Sequence, residues 1–280
     1  MFLTGPLVLL ITFTYLPVGQ MLRYSTLDWD GLDKRPESVG LDNYREVFDR
    51  PELFGVFRTS LYYLGGTVVQ MVLALYFATV LSFKVRAKNF FKGVLFFPYL
   101  INGVAIGFIF LFFFRPGGVL DSTLQALHLD VLQRKWLGDR TYINYSLAGV
   151  SVWRYMGLNF VLFLGAIQSI ASDLFEASSI DGATRFQQFR LIILPSIRPV
   201  LGLSLILAVQ GALSVFEIPY VMTGGANGSA TFVTQTVDIA FKSQKVGLAS
   251  AMAVILLVMI VVVTVVQRIV LPDDEVRAVS

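Results

Sequence analysis

The chain has 280 residues, of which 55% are hydrophobic and 15% charged, and its mean hydropathy of +0.70 is too high for an ordinary soluble domain. It contains no cysteine and a single histidine, His128, which excludes disulfides, thiolate nucleophiles and metal clusters built on either residue. The net charge of +3 is accounted for by basic residues near lipid headgroups and requires no nucleic-acid partner.

Apolar runs long enough to cross a bilayer, about 20 residues each, recur along the chain. We expect them to be helices, because an open strand edge in lipid would leave backbone groups unpaired. The sequence therefore predicts an all-α, polytopic membrane protein that forms a single transmembrane domain over residues 1–280. The first run lacks the basic n-region and the small-residue cleavage site of a signal peptide. The six predicted spans are roughly 2–22, 57–83, 93–114, 143–170, 200–222 and 247–270.

Basic residues crowd the short loop between the second and third predicted spans, at Lys84, Arg86, Lys88 and Lys92. The positive-inside rule places this loop in the cytoplasm. Counting spans, the polar loop at 171–199 and both chain termini fall on the same side. The two longer connections fall on the outer side and are too short for a separate globular domain; they cover 23–56 and 115–142.

The polar loop at 171–199 has the pattern of two short helices. Asp173 and Glu176 have capping-box spacing for a helix start, Gly182 offers a break, and Pro195 ends the apolar run that follows. Two helices joined at a glycine would present a flat face that can seat in a cleft on a partner protein. The small side chains expected to point outward are Ala177, Ser178, Ser179 and Ala183.

This loop resembles the EAA loop of ABC-importer permeases, whose coupling helices dock into an ATPase subunit. The match runs from Glu176-Ala177-Ser178 through Gly182 to Ile192-Ile193-Leu194-Pro195, with Ser178 where the family most often has alanine. Asp181-Gly182-Ala183 is the form common among sugar-importer permeases. The resemblance implies that the ATPase-coupling residues are Glu176, Ala177, Ser178, Asp181, Gly182, Ala183, Leu194 and Pro195.

The resemblance extends over roughly residues 40 to 270. Gly40-Leu41-Asp42-Asn43-Tyr44 is similar to the family's GLxNY signature, and the stretch from Phe216 to Gly225 is similar to that of the first permease in maltose-type importers. Membership implies a second permease subunit in a heterodimer, two ATPase subunits, an extracytoplasmic solute-binding protein and the lipid of a bacterial or archaeal inner membrane. Relatives usually begin with a basic tail, whereas Met1 here meets the apolar run almost directly, which fits a trimmed N-terminus.

A nucleotide motor needs a glycine-rich loop that ends in Gly-Lys-Ser/Thr, and the sequence has none. The glycine pairs Gly65-Gly66 and Gly224-Gly225 lack the lysine and the preceding strand. We therefore expect a non-catalytic subunit that binds no cofactor itself, with ATP and Mg²⁺ held by the partner ATPase.

Polar residues within the spans are costly in lipid and indicate a functional site. Arg154 lies roughly 16 Å into the fourth span, where it either snorkels to the outer interface or faces a water-filled path. Gln210, Ser214 and Glu217 recur at spacings of four and three, which puts them on one helical face, and Glu217 could pair with Arg154. The residues predicted to line a solute path are Trp153, Arg154, Tyr155, Asn159, Gln210, Gly211, Ser214 and Glu217.

Aromatic faces and polar rims of this kind bind sugars, so a sugar or oligosaccharide is the predicted solute. Three alternatives stay open at this point. The polar groups could only pair helix to helix. The solute could be glycerol phosphate or another polar metabolite, because Arg154 would suit an anion. The chain could also be an ion-coupled transporter, although Glu217 is its clearest intramembrane acid.

Overall fold

The computed structural model describes residues 3–83 and 86–270. Within these ranges five helical segments are long and apolar enough to cross a membrane, one of them being Arg198–Leu213 and Glu217–Thr223 taken together. The number is six when a bent pair counts as one span, and the architecture confirms the predicted all-α class. Two short strands, β1 (Leu27–Asp28) and β2 (Glu37–Ser38), pair antiparallel. The helices are α1 (Thr4–Tyr24), α2 (Asp42–Asp49), α3 (Phe57–Ser82), α4 (Lys88–Leu100), α5 (Gly103–Phe114), α6 (Val119–Ala126), α7 (Ile143–Gln168), α8 (Ser172–Ile180), α9 (Arg185–Gln188), α10 (Arg198–Leu213), α11 (Glu217–Thr223), α12 (Phe232–Phe241) and α13 (Val246–Val270). Single helical turns also form at Pro51–Phe54, Asp130–Leu132, Leu194–Ser196 and Ala226–Gly228.

Two segments are wound as π-helix, and each precedes a proline. Ile11–Tyr15 lies within α1 ahead of Pro17, and Phe189–Ile193 follows α9 ahead of Pro195. Proline has no N–H and its ring clashes with the carbonyl four residues earlier, so the regular α-helical bond cannot form there. The wider turn accommodates one extra residue in each place.

The third predicted span differs from the single apolar run expected at 93–114. The structure has two helices, α4 and α5, that meet at 97°. Pro98 lies near the end of α4, and the Asn102 side chain accepts a hydrogen bond from the Val104 N–H at 2.9 Å, which caps the start of α5. An average of hydropathy registers neither the proline nor the cap, so it joined two helices into one.

The bundle is organised by α3 packing along α7. The buried side chains of α3 recur every three or four residues from Thr59 to Leu81 and form one stripe, while most of the other side chains of the helix are apolar and half-buried or exposed. Two apolar clusters lie along this helix pair, one around Tyr63 and Leu147 and the other around Ala74 and Phe160. Between them both helices carry polar side chains, and this polar band positions the candidate site.

A third apolar cluster joins α2, α12 and α13 around Val47, Phe232 and Met252. By contrast, none of the side chains of α1 is buried, and only its second half, Leu16–Tyr24, packs against α13. The first predicted span, near 2–22, therefore lies at the periphery against the helix predicted at 247–270.

Candidate functional site

The loop between α7 and α10 begins with helix α8, and the turn that terminates this helix contains Gly182. This glycine has φ +76°, a left-handed conformation that favours glycine. The Ala183 N–H donates to the Ser178 carbonyl at 2.9 Å and the Gly182 N–H to the Ser179 carbonyl at 3.2 Å, which together form a Schellman turn. The predicted break at Gly182 is confirmed.

The predicted cap of the first loop helix is wrong. The N-cap residue of α8 is Ala171, which makes no side-chain cap, and Asp173 lies inside the first turn rather than before it. Glu176 is exposed and takes no part in a cap. A capping box does form at the second helix, where the Thr184 N–H donates to Gln187 Oε1 at 2.7 Å and the Gln187 N–H to Thr184 Oγ1 at 3.3 Å.

Gln188 ties the two loop helices together. Its side chain is only 7% exposed, and its Nε2 donates to Ser178 Oγ at 3.0 Å and to Ser179 Oγ at 3.1 Å. Ala177 and Ser179 are exposed as predicted, whereas Ser178 and Ala183 are half-buried and do not point fully outward. The Ser178 hydroxyl, which replaces the alanine usual in the family, supplies one of the two acceptors for Gln188.

Large apolar side chains project from this otherwise polar loop. Leu174 is 52% exposed, Ile180 86% and Phe186 70%, and exposed apolar groups on a polar surface mark an interaction site. The loop is anchored on its other side, where Ile193 and Ile197 are fully buried in the apolar cluster that includes Phe160. The loop is therefore anchored in the bundle and presents three large apolar side chains on a polar surface, a feature that the small-residue pattern did not predict.

Arg154 on α7 and Glu217 at the start of α11 form an ion pair. Arg154 Nη1 lies 2.8 Å from Glu217 Oε2, which confirms the predicted pairing and replaces the snorkelling alternative. The Arg154 side chain is 12% exposed and that of Glu217 48%. A Cβ on Gly103 would collide with both Glu217 Oε2 and Arg154 Nη1, so the glycine at the start of α5 makes room for the pair.

Gln210 on α10 and Ser214, which follows α10, make hydrogen bonds elsewhere. Gln210 Nε2 donates to Thr264 Oγ1 on α13 at 2.8 Å, so this side chain pairs helix to helix. The predicted common face of Gln210, Ser214 and Glu217 is wrong, because α10 ends at Leu213 and Glu217 begins a separate helix. Ser214 is exposed and its hydroxyl donates to the Gln210 carbonyl at 2.7 Å.

A cavity of about 180 Å³ occupies the polar band between the two apolar clusters of α3 and α7. Three of the predicted path residues line it, namely Tyr155, Asn159 and Gly211, whereas Trp153 packs edge-on against Phe110 with the ring centroids 5.2 Å apart. The sequence analysis missed a set of further lining residues, Tyr63, Thr67, Gln70, Tyr99 and Ser151. The spacing of 63, 67 and 70 on one face of α3 was the signal that could have found three of them.

The arrangement is that of a multi-pass membrane protein with a largely apolar cavity that carries a few polar side chains, and with a hydrogen-bonded two-helix loop. Its sequence matches the family described as binding-protein-dependent transport system inner membrane component over residues 70–273. It is 33% identical over 269 residues to the multiple sugar-binding transport system permease protein MsmF of Streptococcus mutans, covering 95% of this chain and 92% of that one. The chain therefore belongs to the family of binding-protein-dependent transport system inner membrane components.

Two further comparisons extend the range of similar proteins. The sn-glycerol-3-phosphate transport system permease protein UgpA of Pectobacterium atrosepticum is 28% identical over 268 residues, covering 93% of this chain and 89% of that one. The crystal structure of a bacterial ABC transporter involved in the import of the acidic polysaccharide alginate matches with a TM-score of 0.83 at 19% identity, covering 95% of this chain and 92% of that chain. This second likeness concerns the fold.

Proposed function

We propose that this chain is the permease subunit of an ATP-driven ABC importer and forms the translocation path for a sugar or oligosaccharide. The observation that carries the proposal is the loop at 171–199. Its Schellman turn at Gly182 and its buried Gln188 hold two helices in a fixed arrangement, and Leu174, Ile180 and Phe186 project from them. Such a surface suits a cleft on a separate ATPase subunit.

The loop faces the cytoplasm in this proposal, on the same side as Arg86, Lys88 and Lys92; Lys84 lies outside the described residues. Both termini would then be cytoplasmic in a bacterial or archaeal inner membrane, although residues 271–280 are outside the described ranges. The family description names dependence on a binding protein. A second permease and two ATPase subunits, which hold the ATP and Mg²⁺, would complete the assembly, and this chain would contribute no catalytic group.

The proposed solute is an uncharged sugar. Tyr99, Tyr155, Gln70 and Asn159 bring aromatic faces and amide groups to one cavity, which is the mixture that binds a polyhydroxylated ring. The charge of Arg154 is balanced by Glu217 at 2.8 Å, so the guanidinium is not free to attract an anion. Glycerol phosphate is the second candidate, favoured by the similarity to a permease named for that solute.

The ATPase subunits would displace the loop, and the buried end of the same segment would transmit that displacement to the bundle. Closure of the ATPase subunits would displace Ile180 and Phe186, and the rigid loop would carry that displacement to Ile193 and Ile197 in the apolar cluster of α3 and α7. Because packed interiors transmit strain, the helices around the cavity would move as a unit and expose it alternately to the two sides.

The test is to purify the complex through a tag on this chain, reconstitute it in lipid nanodiscs with its solute-binding protein, and measure ATP hydrolysis against a panel of neutral sugars and glycerol 3-phosphate. Stimulation by a neutral sugar supports the proposal, and stimulation by glycerol 3-phosphate alone selects the second candidate. If no ATPase co-purifies, the proposal of an ABC importer is contradicted, and the ion-coupled transporter becomes the favoured alternative.

A matched pair of variants tests the docking surface itself. Ile180→Ser removes an apolar side chain that is 86% exposed on the loop, whereas Val131→Ser removes one that is 83% exposed on the outer connection. We expect Ile180→Ser to reduce co-purification of the ATPase sharply and Val131→Ser to leave it unchanged. Equal recovery of the ATPase with both variants would remove the loop from the interface.

A further inference from the structure

The short hairpin of β1 and β2, in the connection between α1 and α3, is tied to α2 and to α13. Asn43 on α2 is only 8% exposed, and its Nδ2 donates to the Ser25 carbonyl at 3.0 Å and to the Leu27 carbonyl at 2.9 Å. The Gly247 N–H at the start of α13 donates to the Trp29 carbonyl at 3.0 Å. The GLxNY-like segment therefore fixes this hairpin in place.

A small cavity, here called the outer pocket, lies where the hairpin meets the two helices. It shares no lining residue with the inner cavity between α3 and α7. Its volume is about 190 Å³, whereas pockets for small molecules measure about 300–1,000 Å³. The space therefore suits a single side chain of a partner better than a whole solute. Its polar and aromatic lining residues are Asp28, Trp29, Asp42, Asn43, Glu46 and Lys245.

Three carboxylates line the outer pocket, and two of them are already paired. Glu46 pairs with Arg50 at 3.0 Å. Asp42 pairs with Arg45 at 2.9 Å. Asp28 is exposed and forms no ion pair with any residue in the described part of the chain. Asp28 is therefore the carboxylate that remains free to meet an incoming cation.

A hydrogen-bond acceptor and an aromatic ring accompany this free carboxylate. Asn43 uses its Nδ2 hydrogens on the hairpin, and no described residue donates to its Oδ1, so this oxygen is the atom that Asn43 can offer to the pocket. The Trp29 indole is the kind of ring that attracts cations. No cluster of histidine and acidic side chains among residues 3–83 and 86–270 could hold a metal ion. The lining suits the ammonium or guanidinium group of a basic side chain.

The turn of the same hairpin presents a large apolar side chain beside the pocket. Leu32 is 77% exposed, and Asp30 fixes the turn, because its Oδ1 accepts hydrogen bonds from the Leu32 and Asp33 N–H groups, both at 2.8 Å. An ordered turn loses little entropy when a partner binds it. A free cation would make no use of Leu32, whereas a protein surface would bury it.

We propose that the outer pocket receives a lysine or arginine side chain of the solute-binding protein, with Asp28 as its counter-charge and Leu32 as the adjacent apolar contact. The proposal rests on the proposed function, because α3 leads from this connection to the basic residues at 86–92, which puts the hairpin outside the cell. The family description names dependence on a binding protein, which approaches from that side. Loss of the contact should weaken the association of the two proteins.

The direct measurement is binding of the solute-loaded binding protein to the complex in nanodiscs. Asp28→Asn should weaken the affinity about three- to tenfold and reduce its dependence on salt, because a charge pair at an interface also attracts the partner at long range. The matched control is Glu37→Gln, at the exposed residue that faces Asp28 across the hairpin but does not line the pocket. Equal affinities for the two variants would overturn the proposal.

Two further variants separate electrostatic effects from damage to the hairpin. Lys245 Nζ lies 3.6 Å from Glu46 Oε1 and brings a positive charge to the pocket, so Lys245→Met should tighten binding severalfold. A damaged hairpin would weaken binding instead, and that result, or no change, would overturn the proposal. Leu32→Ser should weaken binding at low and at high salt alike, because its contact is apolar.

ATP hydrolysis at a subsaturating concentration of binding protein distinguishes failure of the pocket from failure of the proposed function. Equal stimulation of the unmodified complex and of Asp28→Asn would reject the pocket and leave the importer standing. Weaker association of Asp28→Asn in a complex that no sugar stimulates would leave the pocket standing and reject the proposed solute. If Ca²⁺ or a soluble amine raised the melting temperature through Asp28 while the affinity for the binding protein stayed unchanged, the pocket would belong to a free cation.

Discussion

Replacement of Gly182 by alanine isolates the contribution of one backbone conformation to coupling. Gly182 has φ +76°, and an added Cβ would have no described atom within 4 Å, so Gly182→Ala creates conformational strain without a collision. The left-handed conformation costs a residue with a side chain about 1–2 kcal/mol of conformational free energy. In the undocked loop the strain can be relieved by giving up the Schellman turn, and with it the fixed arrangement of the two helices, whereas the docked loop must keep both, so the strain weakens docking.

A cost of about 1–2 kcal/mol corresponds to a dissociation constant for the ATPase subunit that is about 5- to 30-fold weaker. The assay is titration of purified ATPase onto the nanodisc-embedded permease, read by binding and by solute-stimulated hydrolysis, with saturating ATPase expected to restore the rate. The control is Gly202→Ala in α10, where an added Cβ likewise meets no described atom within 4 Å and no left-handed conformation is required. Equal affinities for the two variants would refute the reasoning.

Three other changes have defined outcomes. Gln188→Leu removes the hydrogen bonds to Ser178 and Ser179, so amide exchange in α8 and α9 should accelerate by the equivalent of about 1–3 kcal/mol, and unchanged exchange would mean that the glutamine does not tie the helices. Gly103→Ala forces the Arg154–Glu217 pair apart and should lower the melting temperature of the complex, whereas Gly93→Ala, which meets no described atom within 4 Å, should not. Glu217→Gln leaves Arg154 without its counter-charge and should impair uptake of a neutral sugar, and adding Arg154→Gln should recover part of that uptake. A coupling energy below about 0.5 kcal/mol in the double-mutant cycle would show that the ion pair does not contribute to transport.

The sequence predicted most of the long apolar helices, whose length follows from the thickness of a bilayer. It predicted fewer of the features that depend on side-chain hydrogen bonds. Span positions followed from apolar length, but the bend at Asn102 did not, because a single asparagine cap and Pro98 carry little weight in a hydropathy average. The ion pair of Arg154 and Glu217 was predictable, since each charge needs the other in an apolar surrounding.

The inner cavity shows a second limit of sequence reasoning. Helical spacing grouped Gln210 with Glu217 on one face, but spacing transfers only within an unbroken helix, and the chain breaks after Leu213. Tyr99 reaches the cavity from α4, and no local pattern announces a contact between helices that are distant in sequence. The sequence motif identified the loop but not the hydrogen bonds from Gln188 to Ser178 and Ser179. Those bonds depend on the turn at Gly182, which brings α9 back onto α8.

The π-helical turn at Phe189–Ile193 also fixes the length of the coupling segment. Each residue of an α-helix turns the chain by about 100°, so the one additional residue sets the phase between Gln188 on one side and Ile193 and Ile197 on the other. Removing a residue there would leave Pro195 in place and would rotate the docking surface by about 100° relative to the face that is anchored in the bundle. The number of residues between Gln188 and Pro195 is therefore more tightly constrained than the identity of their side chains.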